Sequence, residues 1–237
     1  MKKILLLFMV AFAAFAATAQ KTVYDANAEV RNVGSFNAIQ LSNAFSVIIT
    51  QGNETGLAVS ASEKDAMANI KTRVENGVLK ISFDNEGKWM RRNPKLKAYI
   101  SVKNLDAIRA SGACDIKIEG TLNAASLKVD LTGASDLSGQ INVSNQLEAR
   151  LSGASDLNIS GVADNMTIDA NGASEVKAIN FTTSNCKIEA SGASSVQITV
   201  EKELSADLSG ASSVRYKGTA MIKDIKTSGA SSISRRS

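Results

Sequence analysis

Apolar and polar residues alternate with a period of two over much of the chain from residue 111 onward. Successive side chains of a β-strand point to opposite faces, whereas a helix repeats every 3.6 residues, so this alternation predicts strands. No stretch of the region sustains a helical period. One run of a single parity comprises Leu147, Ala149, Leu151, Gly153, Ser155, Leu157 and Ile159.

A hexapeptide resembling Ser-Gly-Ala-Ser-Asp-Leu recurs seven times in the same region, at spacings of 18 to 21 residues. A period of about 20 residues indicates a solenoid. Parallel crossovers are almost always right-handed, so the sequence predicts an all-β fold, a single-stranded right-handed parallel β-helix with rungs of about 20 residues. Residues Ser42 to Val47 look like a diverged eighth copy. The glycines of the seven copies are Gly112, Gly133, Gly153, Gly172, Gly192, Gly210 and Gly229.

The alternation places one small polar residue of each copy inside the helix, next to the motif glycine. These residues would stack about 4.8 Å apart, and because buried hydroxyls need partners, neighbours in the column could supply the hydrogen bonds. Alternatively, each glycine marks a bend that turns the following serine outward. The column comprises Cys114, Ser135, Ser155, Ser174, Ser194, Ser212 and Ser231.

Further glycine and asparagine residues recur between the motif copies. Both tolerate the left-handed backbone of tight corners, so they are predicted to mark the remaining corners of each rung. They are Gly120, Gly139, Gly161, Gly218, Asn145, Asn165 and Asn185.

Three columns are predicted to face outward. One is hydroxyl-rich and includes Asn171, one is a column of seven alanines, and one is acidic in its N-terminal half and serine in its C-terminal half. The acidic residues are candidate ligand or ion contacts, since paired carboxylates serve glycosidases and neighbouring ones can share Ca²⁺. The glycine-rich calcium repeat is absent, so we favour a solvated column and expect no catalytic residue, no metal site and no cofactor. The acidic residues are Asp115, Asp136, Asp156 and Glu175.

The two cysteines, Cys114 and Cys186, both have inward parity and lie about four rungs apart. That separation is about 19 Å at the strand spacing, which is beyond the reach of a disulfide. We therefore predict two buried free thiols.

The first segment is predicted to be a signal peptide. Lys2 and Lys3 precede an apolar run, and Ala17-Thr18-Ala19 forms a small-x-small cleavage site, so the peptide spans 1–19. The run is shorter than the roughly 20 residues of a membrane span. We expect export in a Gram-negative bacterium, to the periplasm, the outer-membrane surface or the extracellular space, with no transmembrane segment in the mature chain.

Residues 20–34 are predicted to be an extended lead-in to a β-helix domain, 35–237, whose rungs are irregular over 35–110 and regular over 111–237. The irregular part has four short strand patterns and a turn at Glu75-Asn76-Gly77, and residues 61–73 could form one or two helical turns. One loop is a candidate interaction loop through Trp89, Arg91 and Arg92, although a solvated loop covering the stack is the simpler interpretation.

Composition removes several functions. The chain has no histidine, so Ser-His-Asp and Cys-His catalysis and His-ligated zinc or haem are excluded. Aromatic residues are only 5%, which argues against stacking platforms for sugars or bases. The 27 Lys and Arg and 23 Asp and Glu residues are dispersed, so no nucleic-acid partner is expected.

Several segments carry a resemblance to a known family, namely Phe36 to Ile39, Val47 to Ile49 with Gln51-Gly52, Val74 to Ile81, Ala98 to Val102 and Leu105 to Gly112. With the repeats that follow, the chain resembles the putative auto-transporter adhesin, head GIN domain family of exported bacterial proteins, over nearly all of its mature length. The resemblance implies a single-stranded β-helix and an adhesin or surface role, without catalytic residues.

Together these observations favour a non-enzymatic exported scaffold or adhesin-like protein that presents a flat repetitive face to a protein or glycan partner. The alternative is a pectinase-like or carbohydrate-binding β-helix that uses the acidic column. Recognition of an ice-like surface is disfavoured, because Asn171 interrupts the hydroxyls. The last motif is followed only by Ser234 to Ser237, so we also expect either a homo-oligomer formed through the C-terminal rung or a partner that covers it.

Overall fold

The computed structural model describes residues 25–84 and 94–236. The chain winds into a parallel β-solenoid of about six turns with rungs of about 20 residues, which confirms the predicted β-helix. The strands are β1 (Glu29–Arg31), β2 (Ala38–Asn43), β3 (Phe45–Gln51), β4 (Gly56–Ala61), β5 (Ile70–Glu75), β6 (Val78–Phe83), β7 (Leu96–Val102), β8 (Ala107–Gly112), β9 (Asp115–Gly133), β10 (Asp136–Leu151), β11 (Asp156–Ala170), β12 (Glu175–Ala190), β13 (Ser195–Leu208), β14 (Ser213–Lys217), β15 (Met221–Thr227) and β16 (Ser232–Arg235).

The regular rungs stack in register. Strands β9 to β13 each follow most of one turn, and every one pairs in parallel with the next. Leu137 lies over Leu157, and both are at most 1% exposed. Burying an aliphatic side chain of this size stabilises the fold by about 1.5–3 kcal/mol, so each rung contributes a layer to one continuous core.

The repeated motif forms a corner of each rung. Leu131 and Ser135 are buried, whereas the three residues between them are exposed. Because three residues occupy the corner, parity is the same on both sides, and the prediction of inward serines is confirmed. The prediction that the glycines lie inside is wrong: Gly133 is exposed, and its φ of +83° turns the chain outward.

Two further corners divide each rung into short sides. Gly139 and Gly161 have φ values of +147° and +125°, as predicted for corner glycines. The prediction of a left-handed backbone at Asn145, Asn165 and Asn185 is wrong, because positive φ at non-glycine residues of the described ranges occurs elsewhere. These asparagines form a ladder instead, in which Asn185 Nδ2 donates to Asn165 Oδ1 at 3.0 Å.

The first rung repeats the motif corner with altered residues. Strand β2 pairs with β8 so that Asn43 lies beside Gly112, and Asn43 adopts a φ of +78°. The suggestion of a diverged eighth copy is therefore confirmed. Phe45 takes the position of the motif serine and is 1% exposed.

Antiparallel strands cover the N-terminal end of the stack. Strands β5 and β6 form a hairpin through Asn76 and Gly77, whose φ values are +51° and +75°, which confirms the predicted turn. Of the predicted helical segment 61–73, one turn, α1 (Lys64–Met67), is helical, whereas Ala61 ends β4 and residues 70–73 belong to β5. Strand β4 pairs antiparallel with both β7 and β1, so the described part of the lead-in also contains a strand. Within the described ranges, no helix has the length and apolarity needed to span a membrane.

Candidate interaction face

The motif corners together form one exposed strip along the solenoid, here called the corner face. It consists of the hydroxyl or amide residue, the glycine and the alanine of each copy, most of which are exposed. Neighbouring copies pair residue by residue; Gly112, for example, lies beside Gly133. The hydroxyl or amide residues are Ser111, Thr132, Ser152, Asn171, Ser191, Ser209 and Ser228, and the alanines are Ala113, Ala134, Ala154, Ala173, Ala193, Ala211 and Ala230.

The motif glycine is required by the contact between rungs. Gly172 has a φ of +82°, which side chains rarely adopt, and a Cβ added there would lie 2.6 Å from the carbonyl oxygen of Gly153. The same carbonyl accepts a hydrogen bond of 2.7 Å from the amide of Ala173. The corners therefore stack backbone on backbone, and the alanine methyl groups remain on the surface.

The motif serines bind the carbonyl of their own corner. Ser174 Oγ donates to the Asn171 carbonyl oxygen at 2.7 Å, and the other serines of the column make the same bond three residues back, at 2.8 to 3.0 Å. The predicted hydroxyl-to-hydroxyl ladder is therefore wrong. Neighbouring rungs contribute only longer bonds, such as that from the Ser135 amide to Ser155 Oγ at 3.5 Å.

The outward hydroxyl column is tied to the rung before it. Thr132 Oγ1 donates to the carbonyl oxygen of Ala110 at 3.2 Å, and Ser191 Oγ donates to Asn171 Oδ1. These bonds hold the side chains close to the surface, so the corner face is low, polar and regularly spaced.

The acidic column runs beside the corner face, as predicted. Asp136 pairs in register with Asp115 on one side and Asp156 on the other, and Asp156 pairs with Glu175. The column continues upward to Ser46 and downward through Ser195, Ser213 and Ser232.

The charges of this column are partly offset. Burial, together with the neighbouring carboxylates of Asp156 and Asp115, raises the pKa of Asp136 above its usual value. Lys177 Nζ lies 2.9 Å from Glu175 and 3.5 Å from Asp156, and the hydrogen bond to Glu175 raises the pKa of the lysine. In the described residues, no three Cys, Asp or Glu side chains come together in a way that could hold a metal ion.

The two cysteines are buried and free, as predicted. Cys114 occupies the first position of the serine column, and its Sγ lies 3.8 Å from the carbonyl oxygen of Ser111. Burial raises the pKa of both thiols, so neither is poised as a nucleophile. The candidate interaction loop with Trp89, Arg91 and Arg92 lies outside the described residues.

Sequence reasoning missed a charged side of the solenoid, formed by the last strand segment of each rung. Lys128 Nζ lies 3.1 Å from Glu148, and Lys187 Nζ lies 2.6 Å from Glu189. A cleft of about 450 Å³ opens on the same side and includes Asn165 among its lining residues. The alternation of charged and aliphatic residues before each motif was the signal that could have identified it.

The fold and the corner face define a class of protein: a parallel β-solenoid with one repetitive small-residue strip. The chain belongs to the family described as "Putative auto-transporter adhesin, head GIN domain", whose sequence profile matches residues 35–220. The chain is thus a member of an adhesin-like family, which indicates an exported or surface-exposed protein. No curated protein matches the sequence.

Solved structures share the fold. A putative adhesin from Bacteroides fragilis is 21% identical with a TM-score of 0.81, over 88% of this chain and 96% of that one. A putative adhesin from Parabacteroides merdae is 17% identical with a TM-score of 0.69, over 89% and 95%. A putative lipid binding protein from Parabacteroides distasonis is 17% identical with a TM-score of 0.67, over 90% and 98%.

Proposed function

We propose that this protein is a non-enzymatic, adhesin-like scaffold that presents its corner face to a protein or glycan partner outside the cytoplasm. The observation that carries the proposal is the register of the corners. Gly112 and Gly133 pair directly, and the same corner recurs down the stack with an amide-to-carbonyl bond of 2.7 to 2.8 Å between successive rungs. A rigid surface with this repeat suits a partner that is itself extended or repetitive.

The size of the side chains supports this role. Ala154 and Ala173 lie at the same corner of two neighbouring rungs, and both are exposed. The other corner residues are a glycine and one short polar residue in each rung. A partner can therefore approach the backbone closely over a long strip. Such a surface loses little side-chain entropy when it is covered, since alanine and glycine have no rotamers to restrict.

The absence of catalysis is part of the same proposal. The acidic column lies on a stacked strand surface, and Lys177 neutralises part of its charge. The cleft of about 450 Å³ is lined by residues of another side and by none of the acidic column. A glycosidase needs two carboxylates placed on either side of a bound sugar, and this arrangement favours a solvated column over such a site.

The predicted signal peptide supports action in the periplasm, at the outer-membrane surface or in the extracellular space. Fractionation of cells that express the full chain would distinguish these compartments. A protein retained in the cytoplasm with residues 1–19 still attached would contradict the proposed location.

Two lysine substitutions on the corner face test the partner role. Purified Ala154→Lys/Ala173→Lys should lose binding to the glycans or surface proteins that the unaltered chain captures on a glycan array or in a pull-down. Ala125→Lys/Asn145→Lys is the matched control, since it adds the same charge at exposed positions away from the corner face. Equal loss in both variants, or in neither, would contradict the role of this face.

The non-enzymatic part needs its own assay. Acidic polysaccharides incubated with the chain should release no new reducing or unsaturated ends. Cleavage that is present in the unaltered chain and absent in Asp136→Ala/Asp156→Ala would establish the carbohydrate-active alternative instead.

A further inference from the structure

The C-terminal end of the solenoid carries two free strand edges. Among the strands of the described residues, β15 pairs only with β13, and β16 pairs only with β14. Within the described ranges, no strand binds the other edge of either one. Free backbone donors and acceptors in a row are a template for pairing with another strand.

The core is also open at this end. Ile222 lies below Leu204 with the inward parity of the stack, yet it is 47% exposed, and the neighbouring Met221 is 74% exposed. Ile225 lies below the buried Ala206 and is itself only half-buried. In the part of the chain that the structure describes, the apolar side chains of this final layer are therefore exposed, which marks an interaction surface.

The N-terminal end is different. There the antiparallel strands β4 and β5 and the short helix α1 cover the core, and Ala66, Ile70 and Leu79 are at most 3% exposed. The edge strands at this end are β1, of three residues, and β5, of six, and the apolar side chains beneath them are already covered. This end therefore offers no matching apolar layer for the open end of another copy.

We propose that the C-terminal ends of two copies of this chain dock against each other as a two-fold dimer, with β15 of one copy paired antiparallel to β15 of the other around Ile225. The two open core layers then cover each other. Because the same end is used by both copies, the contact is isologous and closes at two, whereas end-to-start stacking would build an open fibre.

The charges of β15 are self-complementary in this register. An antiparallel pair centred on Ile225 sets Asp224 of each copy opposite Lys226 of the other. Both side chains lie on the outward face, where that of Asp224 is 60% exposed and that of Lys226 is 68% exposed, so both are free to adjust. Within one copy, Asp224 Oδ2 lies 3.6 Å from Lys226 Nζ. Opposite charges directly across an antiparallel pair are stabilising, and like charges are destabilising.

Sedimentation velocity over a concentration series tests the proposal. The mature chain should sediment as a concentration-dependent monomer and dimer. Asp224→Lys should place lysines opposite each other, and Lys226→Asp should do the same with aspartates. Each should weaken dimerisation by about tenfold or more. The double swap Asp224→Lys/Lys226→Asp should restore it, and a mixture of the two single variants should form the heterodimer.

Glu189→Lys is the matched control, because Glu189 forms an exposed i, i+2 ion pair with Lys187 on the same side in the middle of the stack. It should dimerise as the unaltered chain does, and circular dichroism should show every variant folded. An unaltered chain that stays monomeric, oligomers that keep growing with concentration, or a double swap that fails to restore the dimer would each overturn the proposal. These outcomes are independent of partner binding by the corner face.

Discussion

Ser174 Oγ donates a hydrogen bond of 2.7 Å to the carbonyl oxygen of Asn171, and so closes the corner that Gly172 and Ala173 form between them. The bond is local and part-buried: Ser174 is 1% exposed, whereas Asn171 lies at the surface. The same link recurs at the other serine-containing corners, so the motif serine is a structural residue that fixes the shape of the exposed face from inside.

Ser174→Ala should lower the free energy of unfolding by about 1 kcal/mol, because it removes the hydrogen bond between a buried hydroxyl and the carbonyl of its own corner. Chemical denaturation followed by circular dichroism measures this loss. Ser126→Ala, at an exposed position, is the control and should change stability by less than about 0.5 kcal/mol. Equal effects in the two variants would contradict the role of the corner bond.

Gly172→Ala should destabilise the solenoid by about 2 kcal/mol or more, because the residue would hold a left-handed backbone while its Cβ meets the carbonyl of Gly153. Gly34→Ala provides the comparison, since a Cβ at Gly34 meets no heavy atom within 4 Å. The melting temperature of Gly172→Ala should fall well below that of the unaltered chain, whereas that of Gly34→Ala should not. A neutral Gly172→Ala would show that the corner can relax.

The attachment of the N-terminal segment should depend on pH through Asp25 and Tyr99. The Tyr99 hydroxyl donates to Asp25 Oδ2 at 2.7 Å. This bond, with that from the Asn27 amide, lowers the pKa of Asp25 to about 2. Burial and the hydrogen bond to Asp25 raise the pKa of Tyr99 to about 12.

Because the pKa of Asp25 is depressed in the folded state, the stabilisation that the ionised Asp25 carboxylate gives the N-terminal segment is present above about pH 4 and is lost as pH falls toward 2. Because the pKa of Tyr99 is raised in the folded state, the stabilisation that its protonated hydroxyl gives the same segment is present below about pH 10 and is lost as pH rises toward 12. The protection of the β1 and β4 amides against hydrogen exchange, corrected for the intrinsic effect of pH on the exchange rate, should therefore fall in both directions. Tyr99→Phe should remove the alkaline change and reduce the acid change, while protection of β11 stays constant; a pH response unaltered by Tyr99→Phe would assign it elsewhere.

Asp136→Asn should raise the melting temperature slightly at neutral pH. The folded state raises the pKa of Asp136, so its charged form is disfavoured by folding, and the penalty disappears as pH falls through that raised pKa. The increase in melting temperature of Asp136→Asn should therefore be largest at low salt and neutral pH, and it should vanish in acid. A gain in melting temperature that persists in acid would mean that relief from burying and crowding the charged carboxylate is not its cause.

The register of the stack was predictable, and the shape of its corners was not. A period of two identifies Ser135 as inward, and a repeat of about 20 residues brings Asp136 beside Asp156 wherever the strands pair. Gly133 could not be placed, because a three-residue corner and a straight strand preserve the same parity. Only the conformation of the backbone distinguishes them.

Contacts outside the repeat left no pattern to follow. Asp25 and Tyr99 are 74 residues apart, and neither belongs to a periodic column. Asparagine is a residue type that tolerates the left-handed backbone, which is why Asn145, Asn165 and Asn185 were predicted to adopt it. Instead, the side-chain amide of Asn185 donates a hydrogen bond along the stack to Asn165. Side-chain ladders compete with turn conformations for the same residue type, and the choice is made by neighbouring rungs.

Because the hydroxyl of each motif serine is satisfied within its own corner, every such repeat carries both the donor and the acceptor of its buried hydroxyl. Duplication or loss of one unit of about 20 residues would leave no buried hydroxyl stranded. The corner bond at Ser174 thus makes the length of the protein a quantity that gene duplication can change in steps, with the chemistry of the surface kept constant.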